Sequence, residues 1–525
     1  MSAGFDTINA TFAAAVAAQP DRLYLDFDGD QYTYARMQQE VDRFARGLHV
    51  LGVCKGDRVA SVLDNSASAI IAWYAVNRLG AIYVPINTAY QGDYLRHQLS
   101  DCGARLLICD REYLGNVLAV ADDLLAVERI LCTAAPGEVR GLGKPIDLMS
   151  VHLLDDGELP EVEVSPSDLA MLLYTSGTTG MSKGCMVSHN YLCDVSRRYC
   201  ATIGRTVDDR MWLPMPLFHI TGISAAILTM QLASSVAYAR KFSLSNTWPE
   251  IERTRATFIV LLGTMALMVA NAEDNPAAQR CKGQVRTIIG IPMNDAVAAV
   301  WRERFGVTWC SGKIYGSTEA GQALNANFDQ VLPDSSCGRL NDTFDVRLVD
   351  ENDNEVPVGA VGEIVVRPKR PNVMFSGYWN NPEATVKAWR NLWHHMGDNA
   401  RMDEQGNFFF VDRSKDVIRR RGENISSFEM EGIFNQHPDI AECAIHAVAS
   451  EYLEDDVKAT VVLAAGATVN EAELCEWARS RVPRFALPRY VEFVSELPKN
   501  ASGRVLKFQL REAAVTSSTW DRERA

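Results

Sequence analysis

The stretch YTSGTTGMSKG, from Tyr174 to Gly184, decides what this chain can be. It follows an apolar run, Leu169 to Thr175, that is typical of a buried strand. Its glycines let successive backbone N–H groups turn toward one concavity that can bind an anion, and its hydroxyls and lysine add donors and a positive charge. A flexible surface loop would account for the glycines, but not for the hydroxyls and the lysine.

The spacing differs from the Walker loop, because Lys183 lies three residues after Gly180 and is followed by glycine. The sequence therefore predicts a phosphate-binding loop of another kind. Its candidate ligands are Thr175, Ser176, Gly177, Thr178, Thr179, Gly180 and Lys183.

Short apolar strands alternate with helical patterns around this loop. The segment from Leu23 to Tyr34 is typical of a hairpin, and the runs 58–63, 81–86 and 105–109 are typical of buried strands between helices. This alternation predicts an α/β fold, with parallel sheets covered by helices. From about Val346, short strands and turns indicate a β-rich module, and a separate α+β segment follows near the C-terminus.

Composition and charge exclude several classes of protein. The 525 residues are 47% hydrophobic and 22% charged, an ordinary globular composition that is long enough for more than one domain. A formal net charge of −14 argues against a partner nucleic acid, whose phosphates would be repelled. No apolar run is long enough to span a bilayer, and the alanine-rich N-terminal patch lacks the cationic region of a secretory signal, so we expect it to be one face of a helix. The twelve cysteines form no C-x-x-C pair, so we expect reduced thiols in the cytoplasm and no structural zinc site.

The loop resembles the phosphate-loop signature of the adenylate-forming superfamily, which includes acyl-CoA synthetases, firefly-type luciferases and peptide-synthetase adenylation domains. The usual signature ends Pro-Lys-Gly, whereas this chain has Ser182 before Lys183. Because proline stiffens a loop, the departure predicts a more mobile loop.

Two further segments carry the resemblance. LPMPLFHITG, from Leu213 to Gly222, is similar to the family segment with a histidine beside the acyl pocket, which makes His219 a candidate gating residue. Without the resemblance, a single histidine beside an aromatic residue is more often a core residue. YGSTE is similar to the motif in which the tyrosine stacks on adenine, the threonine contacts the α-phosphate and the glutamate binds Mg²⁺. The resemblance assigns these roles to Tyr315, Gly316, Thr318 and Glu319.

A third resemblance marks the ribose site and the domain boundary. The segment from Met396 to Asp416 is similar to the family region in which an aspartate and, fifteen residues later, an arginine bind the ribose; these are Asp398 and Arg413. Lys415 occupies the family's hinge position. The resemblance implies an N-terminal adenylation domain over residues 1–412, a hinge at 413–416 and a small mobile α+β domain over 417–525.

Two more departures lie in the C-terminal region. The family usually has two glycines where this chain has Arg421 and Gly422, in a loop that faces the thiol acceptor. Arg421 and the two arginines before it are candidates to meet the phosphates of coenzyme A, with a solvated basic patch as the alternative. The lysine that the family uses to neutralise charge during adenylation is replaced by Arg504, which keeps the charge but not the shape. Lys507 could partly substitute for it if that segment is helical.

The resemblance implies an ATP-dependent carboxylic acid–CoA ligase that forms an acyl-CoA through an acyl-adenylate and releases AMP and pyrophosphate. ATP, Mg²⁺ and coenzyme A are the expected cofactors, and the segment after the hinge is most similar to crotonobetaine/carnitine-CoA ligases. A carnitine-like or a fatty acid of small or medium size is expected, with sterol side-chain and aromatic acids open. A betaine would need an aromatic or acidic wall, for which Trp212, Phe218 and Trp393 are candidates. The alternatives are an enzyme that loads a separate carrier protein and an acyl-adenylate-binding protein with impaired turnover. A homodimer is one possible assembly.

Overall fold

The computed structural model describes residues 6–135, 144–175, 181–273, 275–328, 330–413, 417–452, 454–498 and 505–524. The α-helices in these ranges are α1 (Ile8–Ala18), α2 (Tyr34–Val50), α3 (Ala67–Arg78), α4 (Gly92–Cys102), α5 (Arg111–Leu118), α6 (His189–Ile203), α7 (Ile220–Gln231), α8 (Leu244–Thr254), α9 (Gly263–Asn271), α10 (Pro276–Arg280), α11 (Asp295–Phe305), α12 (Pro382–Ala388), α13 (Ser427–Phe434), α14 (Glu471–Arg479) and α15 (Lys507–Ala513). None of these helices has both the length and the apolar character needed to cross a membrane.

The strands in the same ranges are β1 (Leu23–Phe27), β2 (Asp30–Thr33), β3 (Arg58–Val62), β4 (Ile82–Pro85), β5 (Leu106–Cys109), β6 (Arg129–Cys132), β7 (Ile146–Leu148), β8 (Leu169–Thr175), β9 (Lys183–Ser188), β10 (Arg210–Leu213), β11 (Ser235–Tyr238), β12 (Phe258–Leu262), β13 (Thr287–Ile291), β14 (Trp309–Ser311), β15 (Ile314–Ser317), β16 (Gly321–Asn325), β17 (Ser336–Leu340), β18 (Phe344–Val349), β19 (Val361–Pro368), β20 (His394–Met402), β21 (Phe408–Arg413), β22 (Val417–Arg420), β23 (Glu423–Ser426), β24 (Ile440–Ala449), β25 (Asp455–Leu463), β26 (Tyr490–Phe493) and β27 (Trp520–Asp521).

Two mostly parallel sheets form the larger part of the described chain. Their strand orders are β14-β13-β12-β10-β11-β1-β2 and β7-β6-β5-β3-β4-β8-β9. Neighbouring strands run parallel except at the outer strands β2 and β9, which run antiparallel to β1 and β8. Strands such as β4 and β5 are buried along their whole length, because helices cover both faces of the sheet. The predicted α/β fold, the hairpin β1–β2 and the N-terminal helix α1 are therefore confirmed.

A third sheet is antiparallel and carries the predicted β-rich module. Its order is β15-β16-β17-β21-β20-β19-β18, so it begins at Ile314 rather than near Val346. The earlier strands β15–β17 are short and rich in glycine and polar residues, which explains why a hydrophobic pattern alone did not reveal them.

The C-terminal region forms a separate α+β unit, as expected. Its sheet has the order β24-β25-β26-β27, and the hairpin β22–β23 precedes it. Helix α14 begins with a capping box, in which Asn470 and Glu473 each bind the other's backbone N–H. This unit packs against the second sheet: the rings of Tyr90 and Phe485 lie 6.4 Å apart, and the Gln91 amide donates to the carbonyl of Val482 over 3.1 Å.

Candidate active site

Lys183 lies at the start of β9, directly beside the end of β8. Thr175 and Lys183 are partners in the antiparallel register of these two strands, so the predicted phosphate loop connects two neighbouring strands. The loop residues Ser176, Gly177, Thr178, Thr179 and Gly180 lie outside the described residues. The two described ends of the loop are thus held at the carboxyl end of a parallel strand, where α/β folds bind ligands.

Tyr378 connects Lys183 to Glu319. The backbone of residues 376–379 pairs with β9 through three hydrogen bonds, including Trp379 N–H to the carbonyl of Gly184 over 2.8 Å. This pairing places the Lys183 Nζ 4.9 Å from the centre of the Tyr378 ring, and the Tyr378 hydroxyl donates to Glu319 Oε1 over 2.9 Å. Tyr378 was not among the predicted site residues, although it lies in the stretch FSGYWNNPEAT, where three aromatic residues precede a proline that begins a helix.

The Glu319 carboxyl is kept ionised. Burial tends to raise its pKa, but nearby His394 and hydrogen bonds from Ser317 and Tyr378 hold the pKa below its usual range. Mg²⁺ is commonly held by one or two carboxylates together with substrate phosphates and water. The described residues contain no cluster of three or more His, Cys, Asp or Glu side chains suited to a metal ion. A single ionised carboxylate beside a lysine therefore fits Mg²⁺ that arrives with a nucleotide.

The β15–β16 hairpin holds the YGSTE segment beside Asp398. At Gly316 a Cβ would lie only 1.7 Å from the carbonyl oxygen of Gly321, so this position needs glycine. The Tyr315 hydroxyl donates to Asp398 Oδ2 over 2.8 Å, and the backbone carbonyl of Thr318 accepts from a buried tyrosine hydroxyl. The third sheet also pairs Asp398 with Arg413 in register. Thus the residues assigned to adenine and ribose lie together.

His219 contacts the C-terminal unit. It lies just before α7, after the end of β10, and its Nε2 is 3.0 Å from Glu423 Oε1 on β23. Burial tends to raise the pKa of the Glu423 carboxyl, but His219 beside it holds the pKa below its usual range. The His219 side chain is 40% exposed, which distinguishes it from a core histidine.

The turn between β22 and β23 reaches the same region. Arg421 and Gly422 both have positive φ, of 53° and 78°. A Cβ on Gly422 would lie 2.0 Å from Leu262 Cδ1, at the end of β12. Both turn N–H groups donate to the carboxylate of Glu454, at 2.5 and 3.0 Å.

The three arginines of this hairpin have different environments. Arg421 is exposed at the turn. Arg420 is 4% exposed and forms an ion pair of 2.9 Å with Asp456, so it serves the interior of the C-terminal unit and is not available to a phosphate. Arg419 donates to the side chain of Asn424 over 2.9 Å.

The three aromatic residues considered for a betaine pocket do not meet. Trp212 is 1% exposed within the apolar core around β10 and β12. Trp393 lies under the guanidinium groups of Arg347 and Arg367, at 4.8 and 4.6 Å from its ring centre. Only Phe218 lies near the candidate site, 4.8 Å from the ring of His219.

Ser182 is buried and bonded through three groups. Its N–H donates to Glu429 Oε1 over 2.5 Å, its hydroxyl accepts from Gln98 over 3.1 Å, and its carbonyl lies 2.8 Å from His97 Nε2. These contacts concern Ser182 itself; the extra mobility expected from the loss of proline concerns the loop, whose residues 176–180 lie outside the described residues.

Besides the loop residues 176–180, two more predicted residues, Lys415 and Arg504, lie outside the described residues and cannot be placed. Lys507 begins α15, but its ammonium group bonds Ser427 over 2.8 Å and Glu431 over 2.7 Å within the C-terminal unit. In this arrangement the Lys507 ammonium group is therefore bonded to α13.

Comparison with known proteins agrees with this geometry. Residues 12–379 match the family described as AMP-binding enzyme, and residues 429–504 match its C-terminal domain. A feruloyl-CoA synthase from Amycolatopsis sp is 33% identical over 490 residues, which is 92% of this chain and 94% of that protein. A crotonobetaine/carnitine–CoA ligase from Escherichia coli O157:H7 is 29% identical over 493 residues, 92% and 93% of the two chains. The structure of an amide bond synthetase from Marinactinospora thermotolerans superposes with a TM-score of 0.83 at 26% identity, covering 97% and 99% of the two chains.

These matches confirm the predicted enzyme class, AMP-forming acid–thiol ligases. They span both the sheets that hold Lys183 and Glu319 and the unit that carries the β22–β23 hairpin. The chain belongs to the AMP-binding enzyme family, within the adenylate-forming superfamily.

Proposed function

We propose that this protein is an ATP-dependent carboxylic acid–CoA ligase that forms an acyl-CoA through an acyl-adenylate, with release of AMP and pyrophosphate. The proposal rests on three groups of residues that lie in one region of the structure. Lys183, Tyr378 and Glu319 form a charged cluster, Tyr315 and Asp398 lie on the third sheet, and the β22–β23 hairpin reaches His219.

In the first half-reaction, the substrate carboxylate attacks the α-phosphate of ATP, and both reactants are anionic. Lys183 places a positive charge at the end of the phosphate loop, and Asp398 and Arg413 hold the ribose. Glu319 would hold Mg²⁺, which supplies further neutralisation of the phosphates when bound. Arg504 is the proposed cation from the mobile domain.

In the second half-reaction, the thiol of coenzyme A attacks the acyl-adenylate after the C-terminal domain has rotated. We assign the described arrangement to this step, because the β22–β23 hairpin lies against His219 and Leu262. Here Glu423 holds His219 to one side of the site, and the exposed Arg421 can meet coenzyme A phosphates. The contact between the two units also limits access of water to the mixed anhydride.

The proposed acid has no fixed positive charge. A betaine would need an aromatic or acidic wall, but Trp212 is in the core and Trp393 already lies beneath two arginines. One similar protein is named for a feruloyl substrate and another for crotonobetaine and carnitine. We therefore place aromatic acids such as ferulate, and small or medium fatty acids, ahead of carnitine-like acids.

The test is the release of AMP and pyrophosphate from ATP-Mg²⁺ over a panel of acids, with and without coenzyme A. The panel contains ferulate, benzoates, short and medium fatty acids, crotonobetaine, carnitine and a bile acid. AMP release that depends on coenzyme A and on an uncharged acid supports the proposal. Turnover restricted to the betaines would overturn the choice of acid.

The other two functions give different results in the same assay. Adenylation that proceeds with pyrophosphate exchange but never transfers to coenzyme A would indicate a separate carrier protein. ATP binding without AMP release would indicate a binding protein, and recovery of AMP release by Arg504→Lys would attribute the block to that arginine.

A further inference from the structure

The buried contact between Ser182 and Glu429 connects the phosphate loop to the C-terminal domain. Ser182 is 4% exposed and immediately precedes Lys183, whereas Glu429 is 4% exposed in the first turn of α13. The Ser182 N–H donates to Glu429 Oε1 over 2.5 Å across 247 residues of sequence. The second carboxylate oxygen, Oε2, is buried and has no hydrogen-bond partner within the described part of the chain.

The donor in this contact exists only because the residue is not proline. The signature that this loop resembles has proline at the position of Ser182, and proline has no backbone N–H. With proline here, the Glu429 carboxylate would lose its bonded donor and would be buried without a partner, which is costly. The serine hydroxyl is not involved, because it accepts from Gln98 instead.

We propose that Glu429 is a positioning residue that holds the C-terminal domain in the docked orientation, defined as the one in which the β22–β23 hairpin contacts His219 and Leu262. Residues 423–426 of that hairpin run directly into α13, so fixing Glu429 on Ser182 fixes the hairpin as well. The proposal rests on the proposed function, because it assigns Glu429 to the thiol-transfer half-reaction.

The groups around Glu429 make its hydrogen bond with Ser182 the main polar contact between the phosphate loop and the C-terminal domain at this position. The titratable and charged groups that face it are Lys183 on β9 and the buried hydroxyls of Tyr90 and Tyr94, on and before α4. Lys183 attracts the carboxylate, and the two tyrosines are neutral at ordinary pH because burial raises the pKa of each well above its usual value.

The first test uses hydrogen–deuterium exchange on the full-length protein without substrates, so it does not depend on the acid. Peptides that cover residues 417–434 and 181–188 report the docked orientation. Ser182→Pro removes the N–H and Glu429→Ala removes the acceptor, whereas Ser182→Ala is the matched control that keeps the N–H. At about pH 5 the docked Glu429 carboxyl is protonated, so loss of a hydrogen bond between neutral groups predicts exchange in 417–434 that is roughly 3- to 10-fold faster in the first two variants and unchanged in the control.

The double variant Ser182→Pro/Glu429→Ala should exchange no faster than either single variant, because the same contact is lost in all three. Equal exchange in wild type and Glu429→Ala, or fully additive effects, would overturn the proposal. If Ser182→Pro fails to fold, as judged by circular dichroism, the comparison of Glu429→Ala with Ser182→Ala still tests the proposal, because only Glu429→Ala removes the hydrogen bond.

A second readout separates positioning from general stability. With an acid that turns over, Glu429→Ala should slow transfer to coenzyme A by about the same factor while leaving pyrophosphate release without coenzyme A unchanged. Equal slowing of both steps would refute a role in thiol transfer. Absence of turnover in wild type would refute the proposed function alone, since the exchange experiment would still report on the contact.

Discussion

Gly422→Ala should block the thiol-transfer half-reaction and spare adenylation. In the docked orientation Gly422 has φ of +78°, and an added Cβ would lie 2.0 Å from Leu262 Cδ1. A side chain in this left-handed region costs about 1 kcal/mol more than glycine. The clash adds about 1 to 2 kcal/mol, the lower part of the range for overpacking, because Leu262 Cδ1 is the end of a side chain that can rotate.

Together these terms disfavour the docked orientation by about 2 to 3 kcal/mol, which corresponds to a roughly 30- to 150-fold loss. The assay compares ATP–pyrophosphate exchange, which reports adenylation, with acyl-CoA formation in a single turnover. We expect the exchange rate to stay within about twofold of wild type, since the turn does not touch the nucleotide residues, and acyl-CoA formation to fall by the stated factor.

A rescue variant makes the steric argument specific. Leu262→Ala removes the atom that the new Cβ would meet, so Gly422→Ala/Leu262→Ala should recover about tenfold relative to Gly422→Ala, leaving the backbone cost of about 1 kcal/mol. Leu262→Ala alone is the control for loss of packing at β12. If the double variant is as slow as Gly422→Ala, or if both half-reactions slow equally, the clash with Leu262 is not the cause.

Three further predictions concern neighbouring groups. Tyr378→Phe removes the hydroxyl that binds Glu319, and we expect the KM for ATP-Mg²⁺ to rise about tenfold with the fold unchanged, as measured by initial rates and circular dichroism. Glu454→Ala leaves two turn N–H groups without their acceptor and should slow thiol transfer about tenfold, whereas Glu454→Gln should slow it less. Burial raises the pKa of Glu429 to about 7 in the docked orientation. The docked orientation then favours the protonated carboxyl, so its stability should fall as the pH rises toward the docked pKa of Glu429. After correction for the intrinsic exchange rate, exchange in 417–434 should therefore accelerate from about pH 5 to about pH 7. Glu429→Gln should remove this acceleration.

The main layers of the fold follow from hydrophobic patterning. Strand β8 has the bounds expected for Leu169 to Thr175, because a strand covered on both faces must be apolar along its whole length. Strands β15–β17 follow no such pattern, since cross-strand partners and close glycine approaches determine them rather than a continuous apolar run.

The candidate site divides in the same way. Lys183 lies in a loop whose own residues indicated phosphate binding, whereas Glu319 and Asp398 were indicated by the resemblance of their local motifs to those of a known family. Tyr378 depends on the pairing of residues 376–379 with β9, and Glu429 depends on a contact between two units distant in sequence. A single sequence contains no local signal for either contact, because each is created by how two segments pack.

Two of the three departures from the family signatures concern the same event, the docking of the C-terminal domain. Ser182 adds a backbone N–H that donates a hydrogen bond to Glu429. Arg421 lies in a turn whose two N–H groups donate hydrogen bonds to Glu454. The positive φ of Arg421 costs about 1 kcal/mol relative to glycine, and hydrogen bonds to a charged carboxylate offset a cost of that size. Neither departure removes a group that we assign to the nucleotide. Substitutions at Ser182 and Arg421 should therefore alter the balance between the two half-reactions, and each half-reaction must be measured separately to show it.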